Sequence, residues 1–171
     1  MAVRLEPSDC TILVVNSAKF FAQFATADLA RWLPKLAQTL FLPIRDVNFE
    51  SHSKEEIQLV LNELSGLNTP IRRNKVLVAG IELEESVSLF TLEALAFGFE
   101  VFLLGDLIKA SDERMSKYCW DRLVQAGAVP TTLPQVALEL ATSNQNSASA
   151  PDVKEMLSTY REMQLQHERP A

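Results

Sequence analysis

Short apolar runs alternating with amphipathic segments predict an α/β protein with a doubly wound parallel sheet, layered α/β/α in the Rossmann-like manner. Three observations carry this expectation. Thr11 to Val15, Lys75 to Ala79 and Val101 to Leu104 are compact and apolar, and strands buried on both faces read this way. Helical patterns separate them, which favours parallel strands joined by right-handed crossovers. Finally, 171 residues with 47% hydrophobic and 22% charged side chains suit one soluble domain with a full-sized core.

The elements follow in order. After the strand Thr11–Val15, apolar residues Ala27, Leu29, Ala30, Leu33, Leu36, Ala37 and Leu40 form one stripe of a helix over 26–40. Pro34 inside it predicts a kink or break near Leu33. Leu42 to Phe49 reads as the second strand. Ser53, with Glu56 three residues on, is a capping box opening a helix to about Leu64. Lys75 to Ala79 is the next strand, ended by Gly80, and Glu84 to Phe97 a helix stopped by Gly98. Val101 to Leu104 is a strand. Ser111 then caps a helix running to about Ala126 and closed by Gly127. Ala128 to Thr131 makes a short last strand and Leu133 to Ala141 a short helix. Residues 142–151 are Ser/Asn/Ala-rich and read as a linker or mobile loop. A final amphipathic helix, 152–164, carries Val153, Met156, Leu157 and Tyr160 on one face, for packing on the domain or on another subunit. The whole chain, 1–171, reads as a single domain.

Composition excludes several function classes. The net charge of −6 and the scattered basic residues argue against a nucleic-acid surface. The densest basic group, Arg72, Arg73 and Lys75, reads as a solvated strand entry. No apolar run approaches the ~20 residues of a membrane span. Met1 to Asp9 lacks the apolar stretch of a secretion signal. Two cysteines, Cys10 and Cys119, and two histidines, His52 and His167, lack metal-ligand spacing. The expectation is a cytoplasmic protein with no cofactor and no metal.

In such sheets ligands bind beyond the carboxyl ends of the strands. This directs attention to Asn16-Ser17 after the first strand and to Gly80–Ser86 after the third. Here Val76 to Val87, a strand, a glycine, a β-branched residue and a turn leading to Ser86, resembles the nucleophile turn of the isochorismatase-like cysteine hydrolases. The resemblance continues through Leu92 to Val101, Asp106, Ala110-Ser111 and Gln125 to Ala128. Upstream, Ile12 to Ala18 resembles the family's opening strand. The wording Gly80-Ile81-Glu82 and the terminal helix bring it nearest to the isochorismatase domain-containing subgroup.

That resemblance implies the isochorismatase-like hydrolase fold, and it implies a lost site. The family uses a Cys thiolate, an Asp base and a Lys that lowers the thiol pKa. Ser86 stands at the Cys position and Asn16 at the Asp position. Ala18 replaces a Gln, and the segment from Phe49 to Ser53 is too short for the loop that carries the Lys. Lys54 lies just past the gap, within the capping box, and should point to solvent. A serine is not appreciably ionised at neutral pH and needs a base within reach, which an amide such as Asn16 cannot be. Asn16 instead suits a hydrogen bond to loop backbone.

The vestigial positions are therefore Asn16 and Ser86, with the backbone N–H groups of Glu82 and Ser86 as an implied oxyanion hole. Glu82, Glu84 and Glu85 crowd that turn with negative charge, as acids in a helix's first turn commonly do. A rebuilt serine site would draw its base from Glu82, Asp46, Asp106 or His52. Phe20, Phe21, Trp32 and Trp120 read as core or interface residues. Two functions stand open: a catalytically inactive member that binds or assembles, or a divergent hydrolase of a small amide or ester using Ser86. The expected partners are further copies of the chain in a homo-oligomer, a protein, or a small molecule at the vestigial pocket.

Overall fold

The computed structural model of the chain describes residues 4–24, 29–49, 53–66, 73–143 and 147–167. Its elements run β1 (Cys10–Val15), α1 (Ser17–Phe24), α2 (Leu29–Thr39), β2 (Ile44–Val47), α3 (Lys54–Leu64), β3 (Lys75–Ile81), a π-helical turn (Leu83–Val87), α4 (Ser88–Phe97), β4 (Glu100–Lys109), α5 (Glu113–Gln125), β5 (Val129–Thr131), α6 (Leu133–Ala141), a 3₁₀ turn (Ser147–Ser149) and α7 (Ala150–His167).

The five strands form one sheet in the order β2-β1-β3-β4-β5, and each recorded pairing is parallel. The expected doubly wound parallel sheet is thus the one observed. Alternation along each strand sorts the core into two layers. Ile12, Val14, Leu77, Ala79, Phe102 and Leu104 face Phe20, Leu33, Leu36, Val136, Leu140 and Tyr160. Leu13, Val15, Val76, Val78, Val101 and Leu103 face Ile57, Leu61, Leu83, Val87, Phe90 and Leu123. The chain leaves β1 towards β2 and then returns across it to β3. The crevice between the ends of β1 and β3 is therefore the topological switch point, where ligands settle in such folds.

Several local expectations hold. Ser53 caps α3, its Oγ accepting the Glu56 N–H at 3.1 Å. Gly98 and Gly127 end their helices at φ 99° and 111°, values that suit a residue without a Cβ.

Others are corrected. The helix predicted over 26–40 is preceded by a separate helix, α1, which starts directly after Asn16. Pro34 lies inside α2 rather than ending it. Residues 25–28, with Ala27, lie outside the described residues. The cap of α5 is Asp112, whose carboxylate accepts the Arg114 N–H, and not Ser111. Gly80 is inside β3, not at its end. β4 runs on to Lys109 through a bulge, so that Val78 pairs with Leu103 but Gly80 with Ile108. Asp106 lies within that irregular stretch.

α7 begins at Ala150, within the stretch expected as a linker, and residues 144–146 of that stretch lie outside the described residues. Val153, Met156, Leu157 and Tyr160 are buried within the chain's own core, so this face of α7 packs on the domain. The strand-entry cations are not merely solvated. Arg73 donates to the carbonyls of Pro7 and Cys10, and Lys75 to the Arg4 carbonyl and Asp9. They hold the segment before β1 against the sheet, where backbone acceptors would otherwise go unmet. Arg72 lies outside the described residues.

Candidate functional site

Asn16 and Ser86 come from the two strands that flank the switch point. β1 ends at Val15, and Asn16 turns out of it at φ 55°, in the left-handed region that Asn tolerates better than most residues. β3 ends at Ile81. Glu82 follows at φ 62° and opens the π-helical turn that carries Ser86. The Glu82 carbonyl accepts the N–H groups of Glu85 and Val87. Gly80 lets the two strands approach: a Cβ there would meet the Val15 carbonyl oxygen at 2.8 Å and the Val87 side chain at 3.1 Å.

The two sites join in one hydrogen-bonded cluster. Asn16 Nδ2 donates to Glu82 Oε2 at 2.7 Å and to Ser86 Oγ at 2.9 Å. Asn16 Oδ1 accepts the Phe49 N–H at 3.3 Å. A backbone N–H only donates, so this bond fixes the amide orientation and leaves Nδ2 to face Glu82 and Ser86. With Asn16 donating to its oxygen, the Ser86 hydroxyl directs its own proton to Glu82 Oε2, 3.2 Å away. The other carboxylate oxygen of Glu82 holds Lys19 Nζ at 2.8 Å. That bond raises the Lys19 pKa above its ordinary value, through the hydrogen bond first and the charge of Glu82 second. Ser86 is wholly buried (0% exposed) and Asn16 nearly so, whereas Lys19 is mostly exposed.

Of the acids expected to compete for Ser86, only Glu82 bonds to it among the described residues. Asp46 is exposed on β2. Asp106 accepts the Leu133 N–H and the Tyr160 hydroxyl, the latter at 2.8 Å. Burial raises the Asp106 pKa despite these bonds, and burial beside Asp106 pushes the Tyr160 phenol far up. Asp106 thus ties α6 and α7 to the sheet. His52 lies outside the described residues. Lys54 is exposed as expected and pairs with Glu93 at 3.5 Å.

Glu84 was expected as a first-turn acid. It is one, and its carboxylate also accepts the N–H groups of Ser111 and Asp112, joining the π-helical turn to the start of α5. Lys19 was not anticipated. Its signal in the sequence is faint, a cation three residues after Asn16, because α1 itself escaped the periodicity reading. No group of His, Cys, Asp and Glu suited to a metal ion occurs among the described residues.

Chemically, among the described residues the cluster brings together a hydroxyl, an amide, a carboxylate and an ammonium. The carboxylate comes from the turn after β3, not from the end of β1.

Comparison with known proteins fits this architecture. No protein-family model matches the chain. In sequence it is 31% identical over 97 residues to the Probable hydrolase YcaC of Escherichia coli (strain K12), a match covering 52% of this chain. In that match the chain spans about half the length of the curated relative, 47%. Among solved structures, the YcaC gene product from Escherichia coli, described as an octameric hydrolase of unknown specificity, superposes with a TM-score of 0.71. It is 22% identical and the superposition covers 98% of each chain. YcaC from Pseudomonas aeruginosa, solved with hexane-2,5-diol and covalent acrylamide, gives a TM-score of 0.67 at 18% identity over 99% of each chain. The MAR1 ribonuclease from Caenorhabditis elegans gives 0.68 at 18% identity, covering 90% of this chain and 92% of its own.

Proposed function

We propose that this chain, a member of the isochorismatase-like hydrolase family related to YcaC, is a non-hydrolytic member that acts by assembly and binding. The observation that carries this reading is the state of Ser86. Its hydroxyl has no exposed surface, accepts from Asn16 and donates to Glu82. A serine nucleophile needs an open approach and a base free to take its proton. The Glu82 carboxylate oxygens already accept from Lys19 and Asn16 as well as from Ser86. The cluster thus serves as a polar clamp across the β1–β3 crevice. The octameric state described for the Escherichia coli relative supports a homo-oligomer here. A protein or small-molecule partner at the crevice is the accompanying proposal.

The test is a screen of small esters and amides on the purified chain, with Ser86→Ala as background. The expected result is no turnover above that background and no acrylamide adduct at position 86. Turnover lost in Ser86→Ala overturns the reading.

One observation favours a second reading, namely the 3.2 Å bond from Ser86 Oγ to Glu82 Oε2. In a divergent hydrolase, Oγ attacks the ester or amide carbonyl carbon while its proton passes to Glu82. That proton then leaves with the alcohol or amine, and water later releases the acyl group by the same route. This reading requires turnover to vanish in both Ser86→Ala and Glu82→Gln. Turnover that survives in Glu82→Gln refutes it.

A further inference from the structure

Within α5, Leu123 is the residue recorded as buried, while Met115 and Tyr118 stand 48% and 69% exposed. Met115, Tyr118 and Arg122 are spaced three and four residues apart and so share one stripe of the helix. Beside that stripe, the π-helical turn and α4 leave an open groove of about 420 Å³, lined by Glu84, Glu85, Ser88, Leu89, Leu92 and Arg122. A protruding aromatic–thioether knob and a leucine-floored groove therefore lie next to each other on one face.

We propose that this face is a two-fold self-association surface, with Tyr118 and Met115 of one copy seated in the Leu89–Leu92 groove of a second copy, and reciprocally. The proposal rests on the assembly reading above and adds where assembly occurs. A two-fold contact uses the same patch on both partners, so knob and groove must lie side by side on one surface. Here they do.

The charges follow the same pattern. Arg114 and Lys117 flank the knob, and Glu84 and Glu85 flank the groove. Arg114 is already paired with Asp112, and Glu84 with the Ser111 and Asp112 backbone. Lys117 and Glu85, both exposed, are then the pair that meets across the two copies. This complementarity of a patch to itself argues for a second copy over a foreign partner. Tyrosine is also among the residues that most often dominate such contacts.

Sedimentation velocity on the full chain over a wide concentration range tests the proposal. Variants are Tyr118→Glu, Lys117→Glu, Glu85→Lys and the double exchange Lys117→Glu with Glu85→Lys. Tyr118→Glu is expected to weaken self-association about tenfold or more. Each single charge reversal is expected to weaken it, and the double exchange to restore it towards wild type. These side chains are exposed, so thermal melts should match wild type; if Tyr118→Glu misfolds, the charge-exchange set decides. A wild-type oligomer unaffected by Tyr118→Glu and Lys117→Glu overturns this surface while leaving assembly standing. A wild-type monomer at every concentration overturns both.

Discussion

Replacing Ser86 by cysteine puts a thiol at the position that the family resemblance implies for a nucleophile, yet the surroundings are arranged against its ionisation. Glu82 Oε2 lies 3.2 Å from Ser86 Oγ, and a thiolate there would face that carboxylate. Two like charges about 4 Å apart repel by about 4 kcal/mol at an effective dielectric constant of about 20, which corresponds to about 3 pKa units. Lys19, bonded to the far oxygen of Glu82, offsets part of this and leaves a net upward shift. The full burial of the position acts in the same direction. The introduced thiol should therefore titrate above the ordinary cysteine value of about 8.5. The assay is the pH dependence of iodoacetamide alkylation in Ser86→Cys, in a Cys119→Ser background, followed by mass spectrometry. Adding Glu82→Gln should raise the alkylation rate at pH 8 about tenfold or more, in line with a thiol pKa lower by at least about one unit. An apparent pKa below about 7 in Ser86→Cys, or no change on adding Glu82→Gln, would refute the electrostatic argument.

Three further outcomes are expected. Gly80→Ala should destabilise by about 1–3 kcal/mol in urea unfolding, because its Cβ would press on the Val15 carbonyl and Val87; an unchanged midpoint would mean that the strands have room to part. Burial raises the folded-state pKa of Asp106 above the ordinary carboxylate value of 3.8. Its contribution is therefore fully present below that value and is lost as pH rises through the folded pKa. Asp106→Asn should remove that component of the stability–pH slope, and urea midpoints from pH 3 to pH 7 with identical slopes in both proteins would count against it. Cys10 is buried with its thiol pushed up to about 12, so at pH 8 the folded wild type should react with a disulfide reagent at Cys119 alone. Labelling of Cys10 without unfolding would contradict its placement in the core.

The sheet was legible because its information is local. Runs such as Thr11 to Val15 and Lys75 to Ala79 are apolar at consecutive positions, and only a strand covered on both faces buries such a run. The Ser53 cap and the glycine stops at Gly98 and Gly127 are likewise written within a few residues. The order of strands, with β1 between β2 and β3, was not written in those runs and came from the structure. α1 was not read from the sequence: it has eight residues, Ser17–Phe24, too few for a clear periodic stripe. Such a short helix forms because Phe20 packs into a core assembled by distant elements.

The sequence by itself determined that Asn16 and Ser86, an amide and a hydroxyl, follow two buried apolar runs, since residue identity needs no coordinates. Only the tertiary structure decided what those residues do. Asn16 and Ser86 are 70 positions apart, and their bond exists because β1 and β3 are neighbours and Gly80 lets them close. The Phe49 N–H then orients the Asn16 amide, and Lys19 reaches Glu82 from a helix that the pattern did not announce. Hydrogen bonds depend on angles and distances of tenths of an ångström, and those are set by packing across the whole sheet rather than by any stretch of chain.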